Sequence, residues 1–433
     1  MGAVVRRVRV TVGFFVHLVR DLAGTLAARW RRWYRRAVLG EAVASVAVDV
    51  FPFFERMTGV GWYAWNLLRE LDRREDGLEY QLYGHTFLAP EEPSPPPMPG
   101  GSRMRLRLHH LPAGFLLPVR PTLWLLRAVA EPLLRLLDGN QVGFAPNFFL
   151  PRRQLPFAAT VVATVHDLAF RVMPETVSPA TLDELARHLP PSLFRSERLI
   201  AVSDATAGDL VEHLGANPRR IHTVHEGLDP AFAADPGDPP EGVPDRYLLF
   251  VSTLEPRKNV INLLRAFRLV VAWGYPGSLV LVGRWGWRTE RIRRELASSP
   301  VRHRIVHLDY VERERLPALY TGADALLFPS LMEGFGLPLV EAMACGTPVV
   351  TAGRSAMPEV AGPAGVYVDP EDPHSIATGI TSLLEDREHR ERLAALARER
   401  AARFSWERAA AATAQVLRQA AGLPPVGPDE YRV

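Results

Sequence analysis

A strand–helix rhythm that runs twice along the chain is the strongest constraint this sequence places on its fold. VASVAVDV (43–50) reads as a buried strand, 60–72 as an amphipathic helix and LEYQLYG (78–84) as a strand again. A Pro/Gly stretch at 91–101 ends that unit. MRLRLHH (104–110) alternates as a strand does, and 121–137 is apolar and helical. VGFAP, ATVVATV and RLIAV are short aliphatic runs of the buried parallel type, with helices expected at 178–196 and 204–214. FAADPGDPPEGVPDR (232–246) is a linker by composition, and after it the rhythm restarts. YLLFVS (247–252), SLVLVG (278–283), RIVHL (304–308) and DALLFPS (324–330) read as strands. Residues 260–272, 316–322 and the stretch after Gly336 read as helices. Two such runs imply two α/β domains with mostly parallel sheets. Ligands of such proteins are expected in a cleft, at the carboxyl ends of strands, so functional residues should follow strands closely.

Composition closes off other classes. With 433 residues, 47% hydrophobic and 23% charged, the chain is neither a disordered segment, a collagen nor a coiled-coil rod. Its single cysteine, Cys345, excludes an internal disulfide framework and a cysteine zinc cluster, and reads as a small packing residue. Residues 1–40 hold nine Arg and one acid, a charge of 9 − 1 = +8, so the remainder of a +3 chain carries −5. The basic character therefore belongs to the N-terminal extension, and no nucleic-acid partner is expected. The apolar run Val10 to Val19 is too short for a membrane span, which needs about 20 residues. Leu22, Leu26, Trp30 and Trp33 fall at helical spacing among Arg29, Arg31, Arg32, Arg35 and Arg36. That pattern fits a helix lying on an anionic membrane surface, and equally a floppy basic extension or a mis-called start.

Four motifs carry candidate chemistry. FPSLMEGFGLPLVEAMACGTPVV (328–350) runs from a strand through Glu333, Gly334 and Gly336 into a helix, with Pro338 in its first turn and Glu341 eight positions after Glu333. Backbone amides at Phe335, Gly336 and Leu337 would face a phosphate at a helix N-terminus, and the two carboxylates could accept from hydroxyls. The same spacing also fits a tight turn with two surface glutamates. STLEPRKN (252–259) places Arg257 and Lys258 after a strand, where two cations would pair with a diphosphate. Lys258 is the only lysine in a chain of 51 basic residues, which fits a site that does not accept arginine and equally a sampling accident on a solvated helix start. TVHDLAF (164–170) puts His166 at a strand end, where it could touch a sugar hydroxyl or serve as a structural histidine. MTGVGWYAWNLL (57–68) satisfies a dinucleotide fingerprint through Gly59, Gly61 and Ala64, with Glu79 twenty residues beyond Gly59. Nine residues separate Asp49 from Gly59, a gap that weakens this reading. No Asp-x-Asp pair, Walker lysine motif, Gly-x-Ser-x-Gly elbow or His-Glu-x-x-His occurs.

Taken in order, these residues resemble the retaining glycosyltransferases of family four, and within them a mannosyltransferase-like branch. The resemblance rests on Thr58-Gly59-Val60-Gly61, Val165-His166-Asp167-Leu168, Ala201-Val202-Ser203 and Glu226-Gly227-Leu228-Asp229. It continues through Leu254-Glu255-Pro256-Arg257-Lys258-Asn259, Glu333-Gly334-Phe335-Gly336-Leu337-Pro338, Glu341-Ala342, Met357-Pro358-Glu359-Val360-Ala361-Gly362 and Phe404-Ser405-Trp406. It spans about residues 45–420. It implies a GT-B fold, two Rossmann-like α/β domains facing a central cleft. The divisions would be a basic extension (1–40), an acceptor domain (41–235), a donor domain (246–405) and a C-terminal helix crossing back with its tail (406–433).

The resemblance also implies roles. Arg257 and Lys258 would bind the donor diphosphate, Glu333 the sugar hydroxyls, and Glu341 the ribose. The amides of Phe335, Gly336 and Leu337 would hold the distal phosphate, and His166 would touch the transferred sugar. Gly59 and Gly61 would form a loop over the reaction centre, and Gly283, Arg284 and Val311 would cradle the base. Many family members carry Gly-Arg after the first strand of the second domain; here Thr253 stands in the arginine's place, a change the mannosyltransferase-like branch shares. The expected activity is metal-independent transfer, with retention, from GDP-mannose or another nucleoside-diphosphate hexose to a glycan or lipid-linked acceptor. The nucleotide sugar is substrate, and no cofactor is expected. The setting would be cytoplasmic, possible membrane contact being through residues 1–40 at the inner face. The competing reading is an NAD-dependent oxidoreductase built on the Gly59/Gly61 loop.

Overall fold

The computed structural model describes residues 23–50, 59–87, 104–111, 139–148, 160–234 and 236–425. The helix expected at 121–137, the loop at 91–101, residues 1–22, Thr58 and the tail from 426 lie outside the described residues. Thirteen strands are described: β1 (Ala44–Asp49), β2 (Leu78–Phe87), β3 (Met104–Leu111), β4 (Val142–Ala145), β5 (Thr160–Val165), β6 (Arg198–Ala201), β7 (Ile221–Thr223), β8 (Tyr247–Val251), β9 (Ser278–Val282), β10 (Ile305–Leu308), β11 (Ala325–Phe328), β12 (Val349–Ala352) and β13 (Gly365–Val368). They form a seven-stranded sheet, order β3-β2-β1-β4-β5-β6-β7, and a six-stranded sheet, order β10-β9-β8-β11-β12-β13. This is the expected α/β architecture of two Rossmann-like sheets. By contact density the chain divides into two compact units, one from 1–164, 192–199 and 410–432, the other from 165–191 and 200–409.

In the first unit, β1 pairs in parallel with β2 and β4, β2 with β3, and β4 with β5. Every residue of β1 is buried, as an aliphatic central strand requires. The helix Gly59–Arg73 lays Tyr63, Ala64, Leu67, Leu68 and Leu71 into the core at i, i+1, i+4, i+5 and i+8, one helical face. A closed ring of neutral hydrogen bonds lies inside this unit. Ser45 Oγ donates to Asn140 Oδ1 (2.6 Å), Asn140 Nδ2 to Tyr83 Oη (2.9 Å), Tyr83 Oη to Gln81 Oε1 (3.2 Å) and Gln81 Nε2 back to Ser45 Oγ (3.2 Å). Each buried polar group thereby meets a partner in the ring, which offsets its desolvation. The helix Trp406–Ala420 contributes its last turns, where the Ala420 carbonyl accepts from Thr160 Oγ1 at 2.9 Å.

In the second unit all five pairings of the six-stranded sheet are parallel. The core packs Leu248, Phe250, Leu279, Leu281 and Leu327 against Leu263, Leu264 and Phe267 of the helix Val260–Ala272. Each fully buried side chain of this kind contributes about 1.5–3 kcal/mol relative to exposure. Strand order reverses between β8 and β11, which are hydrogen-bonded neighbours. In open α/β sheets the crevice outside such a switch point is the usual ligand position.

Candidate active site

The segment after β8 turns at once through a 3₁₀ turn, Pro256–Lys258, before the helix Val260–Ala272. Asn259 joins them in the left-handed conformation (φ 58°, ψ 33°), which asparagine tolerates better than most residues. Its buried Nδ2 donates to the carbonyls of Pro329 (3.0 Å) and Pro370 (2.6 Å). The Arg257 carbonyl accepts from the Leu331 amide at 2.9 Å. The loop after β8 is thus fastened to the loop after β11, and the adjacent Arg257 and Lys258 are held in register with Glu333.

The charges meet there. Lys258 Nζ donates to both Glu333 oxygens, at 2.6 and 2.8 Å. Arg257 Nη1 lies 3.2 Å from Asp167 Oδ2 and 3.6 Å from Glu333 Oε2, and its Nε lies 3.3 Å from Glu255 Oε1. Burial alone would lower the Arg257 guanidinium, but Asp167, Glu333 and Glu255 raise it, so it stays protonated. Burial pushes the Glu255 carboxyl up, against Lys258 and Arg257, which pull it down. The Glu333 carbonyl accepts from Ser355 Oγ at 2.6 Å, which fixes its backbone. Two cations and three carboxylates share a nearly dry volume, so each fixed positive group is met by the protein's own acids and one carboxylate is in excess.

Glycine sets how closely the chain can be threaded here. A Cβ on Gly334 would stand 1.5 Å from the His166 carbonyl oxygen, so only glycine lets the two loops pass. Gly336 opens the helix Leu337–Ala344 with φ 109°, and Pro338 occupies its first turn. The first-turn amides of a helix lack intrahelical partners and point outward, so Phe335, Gly336 and Leu337 lie at an anion-favouring end. The Phe335 ring does not face a ligand. It is buried, 5.8 Å from the His225 ring and 5.5 Å from Phe404, so only its backbone is available to the site.

His166 follows β5 and is buried, with Nδ1 3.4 Å from Glu226 Oε1. Glu341 is also buried. Its Oε2 accepts from Tyr320 Oη at 2.8 Å and its Oε1 lies 3.7 Å from Arg313 Nη1, while Arg313 Nε donates to Asp229 Oδ2 at 3.0 Å. Burial pushes the Glu341 carboxyl up, Arg313 and Tyr320 oppose this, and Asp229 adds to it. The 283–286 segment packs beside the β8 loop. Leu254 donates to the Arg284 carbonyl at 2.7 Å, and a Cβ on Gly283 (φ 141°) would stand 2.0 Å from the Ser252 carbonyl oxygen. The Arg284 guanidinium sits 5.1 Å from the Tyr310 ring centroid, next in sequence to half-buried Val311.

Of the expected residues, His166, Arg257, Lys258, Glu333, Phe335, Gly336, Leu337, Glu341, Gly283, Arg284 and Val311 all fall in the second unit. Gly59 and Gly61 fall in the first. They are not in a loop: both lie in the opening turn of the helix Gly59–Arg73, with Gly61 buried. A Cβ on Gly59 would meet nothing within 4 Å, so no close approach demands glycine there among the described residues. Glu79, the acid of the dinucleotide fingerprint, accepts from Arg32 at 3.3 Å. Sequence reasoning assigned no role to Asp167, Glu226, Glu255, Arg313, Tyr320 or Ser355. Asp167, Glu226 and Glu255 stood inside motifs already singled out, the one signal that could have raised them. Among the described residues no cluster of His, Cys, Asp and Glu is arranged to hold a metal ion.

Two α/β sheets of this kind, the six-stranded one parallel throughout, fit the GT-B class of glycosyltransferases. Residues 57–232 match the family described as Glycosyltransferase Family 4, and residues 234–400 match Glycosyl transferases group 1. The chain is 30% identical over 377 residues to O-antigen chain mannosyltransferase B of Escherichia coli, covering 82% of this chain and 94% of that one. It is 30% identical over 434 residues to the D-inositol 3-phosphate glycosyltransferase of Xylanimonas cellulosilytica, covering 88% and 97%. Its fold is similar to that of Anabaena HepE in complex with UDP and glucose, at TM-score 0.62 and 18% identity over 87% of this chain and 99% of that one. The protein belongs to the family-four-type glycosyltransferases, and it is an enzyme that transfers sugars. The oxidoreductase alternative finds no support in these likenesses.

Proposed function

We propose that this enzyme moves a hexose, with retention of anomeric configuration and without a divalent ion, from a nucleoside-diphosphate sugar to a glycan or lipid-linked acceptor. The observation that carries the reading is the Arg257–Lys258–Glu333 cluster at the β8/β11 switch point, beside a glycine-opened helix N-terminus. A diphosphate entering this crevice takes over the two cations from their carboxylates. Glu333, released from Lys258, becomes an acceptor for sugar hydroxyls. Amides at Phe335, Gly336 and Leu337 share the phosphate charge, and Glu341 accepts from ribose hydroxyls. As the glycosidic bond lengthens, negative charge grows on the leaving phosphate, and fixed cations and dipoles stabilise that charge without reorganising. No carboxylate is needed as nucleophile when the leaving phosphate helps deprotonate the acceptor on the same face. His166, held beside Glu226, would contact the sugar.

GDP-mannose is the favoured donor, because one of the two relatives matched over most of both chains is a mannosyltransferase. A lipid-linked acceptor would be displayed at a membrane, which sets the enzyme in the cytoplasm as a peripheral protein of the inner face. No helix among the described residues is long and apolar enough to cross a membrane. A thermal-shift series with GDP, UDP and ADP sugars tests the donor. Ligand at 100 times its Kd stabilises by about 2.7 kcal/mol, an easily measured rise in melting temperature. No shift with any of them would overturn the reading. Transfer that persists in a chelator, and a product whose anomeric proton keeps the donor's configuration, are the expected results for the other two claims.

A further inference from the structure

We propose that the outward face of the helix at 23–37, continued by Val38 and Leu39, is a docking surface for an anionic phospholipid membrane. An ordinary surface helix turns its apolar stripe inward and its charges out. This one is reversed. Its inner face is Thr25, Ala28 and Arg32, all buried, with Arg32 on Glu79 (3.3 Å) and the neighbouring Arg35 on Glu41 (2.5 Å). Arg36 Nε donates to the Val43 carbonyl at 2.8 Å. Polar contacts thus fasten the helix to the first unit, and its large apolar side chains are left outside.

Those side chains form one stripe. Leu26, Trp30 and Trp33 recur at i, i+4 and i+7, and are 50%, 62% and 58% exposed. Trp30 stacks on Tyr34 with ring centroids 5.6 Å apart, so the aromatic surface is preformed. Of the twelve large apolar side chains exposed among the described residues, six (Leu26, Trp30, Trp33, Tyr34, Val38 and Leu39) lie within 26–39. Scattered exposure is normal on a protein surface, but a contiguous patch of this kind marks an interaction site. Trp and Tyr are the residues that settle at the membrane–water boundary, and exposed Arg29 and Arg31 border the stripe where headgroups would lie.

Charge decides among possible occupants. Residues 1–40 carry +8, so a second copy of the chain would bring the same excess of arginines against this face. Residues 1–22 hold four Arg and one Asp and would repel it similarly. An anionic lipid surface complements it. This inference goes beyond the donor-site reading and does not depend on it.

The test is flotation of the full chain with phosphatidylcholine vesicles, with and without phosphatidylglycerol. The protein should float with the anionic vesicles and be released by salt. Trp30→Ser with Trp33→Ser, or Arg29→Gln with Arg31→Gln, should each weaken partitioning by about tenfold. Brominated lipid should quench the wild-type tryptophan fluorescence, a readout that needs no variant to fold. Wild type that stays with the lipid-free fraction, floats equally with neutral vesicles or shows no quenching would overturn the proposal. So would a lipid-free dimer that the tryptophan variant dissociates. Nucleotide-sugar binding is measured without lipid, so failure of the donor site and failure of this surface are read separately.

Discussion

The ring of Ser45, Asn140, Tyr83 and Gln81 and the cluster of Arg257, Lys258, Glu333, Asp167 and Glu255 are both buried polar networks, but they are finished in different senses. In the ring each side chain donates to the next and accepts from the last, and all are neutral. Nothing in it needs a ligand. The cluster also satisfies itself, but with full charges that could equally meet a phosphate and a set of hydroxyls. Burial makes a balanced charge pair roughly neutral for stability and makes an unbalanced one costly. A neutral network therefore reports on folding, whereas a charged one can exchange partners.

The largest effect should come from the cluster. Lys258→Met paired with Glu333→Gln avoids stranding a buried charge, and it should cut transfer by about 10²–10³-fold with the melting temperature little changed. Steady-state transfer and calorimetry on the same preparations check this, and wild-type turnover would end the assigned roles. Asn140→Ala opens the ring and leaves Ser45 and Tyr83 short of a partner. It should cost about 1–3 kcal/mol in urea unfolding, with transfer per folded molecule unchanged. Adding Tyr83→Phe should cost less than the sum of the single changes, since the two share a bond.

Arg313→Met should give a smaller and more selective change. It removes the cation that opposes burial at Glu341, so that carboxyl moves further up. Its ionised form, which the proposed ribose contact requires, is then lost sooner as pH falls. Donor KM should rise by about tenfold, more in acid than in alkali, with kcat nearly unchanged. A pH series of KM for Arg313→Met, set beside Glu341→Gln, tests the sign. The smallest effect belongs to Glu359. Burial raises its carboxyl, but His225 at 2.6 Å and the amides of Asp204 and Ala205 outweigh that and hold it low. Its stabilisation is present above the ordinary carboxylate range and is lost as pH falls through the depressed value. Glu359→Gln should cost about 1 kcal/mol at neutral pH, and the difference should close in acid.

How far these networks could be foreseen differs. Val260–Ala272 and Leu316–Gly322 match the sequence expectation residue for residue, the first because its thirteen residues repeat apolar side chains at helical spacing, the second because Pro317 and Gly322 mark its two ends. Strands β7 (Ile221–Thr223) and β13 (Gly365–Val368) gave no such signal. They are three and four residues long, and they are held by their neighbours in the sheet rather than by propensity. Lys258 and Glu333 were legible as residue types at strand ends. Their direct pairing was not, since 75 positions separate them and only the β8–β11 adjacency brings them together. Arg313 and Tyr320 were invisible as partners of Glu341 for the same reason, and the polar ring spans up to 95 positions.

The 1.5 Å that would separate a Gly334 Cβ from the His166 carbonyl has a practical side. A mutational survey of this loop would score Gly334→Ala as badly as a change at Glu333, and a reader of the scores would credit it with a part in bond-making. The clash alone accounts for such a score: glycine is the empty space that lets one strand of the path slip beneath another, and libraries built to vary the proposed sugar pocket should leave it untouched.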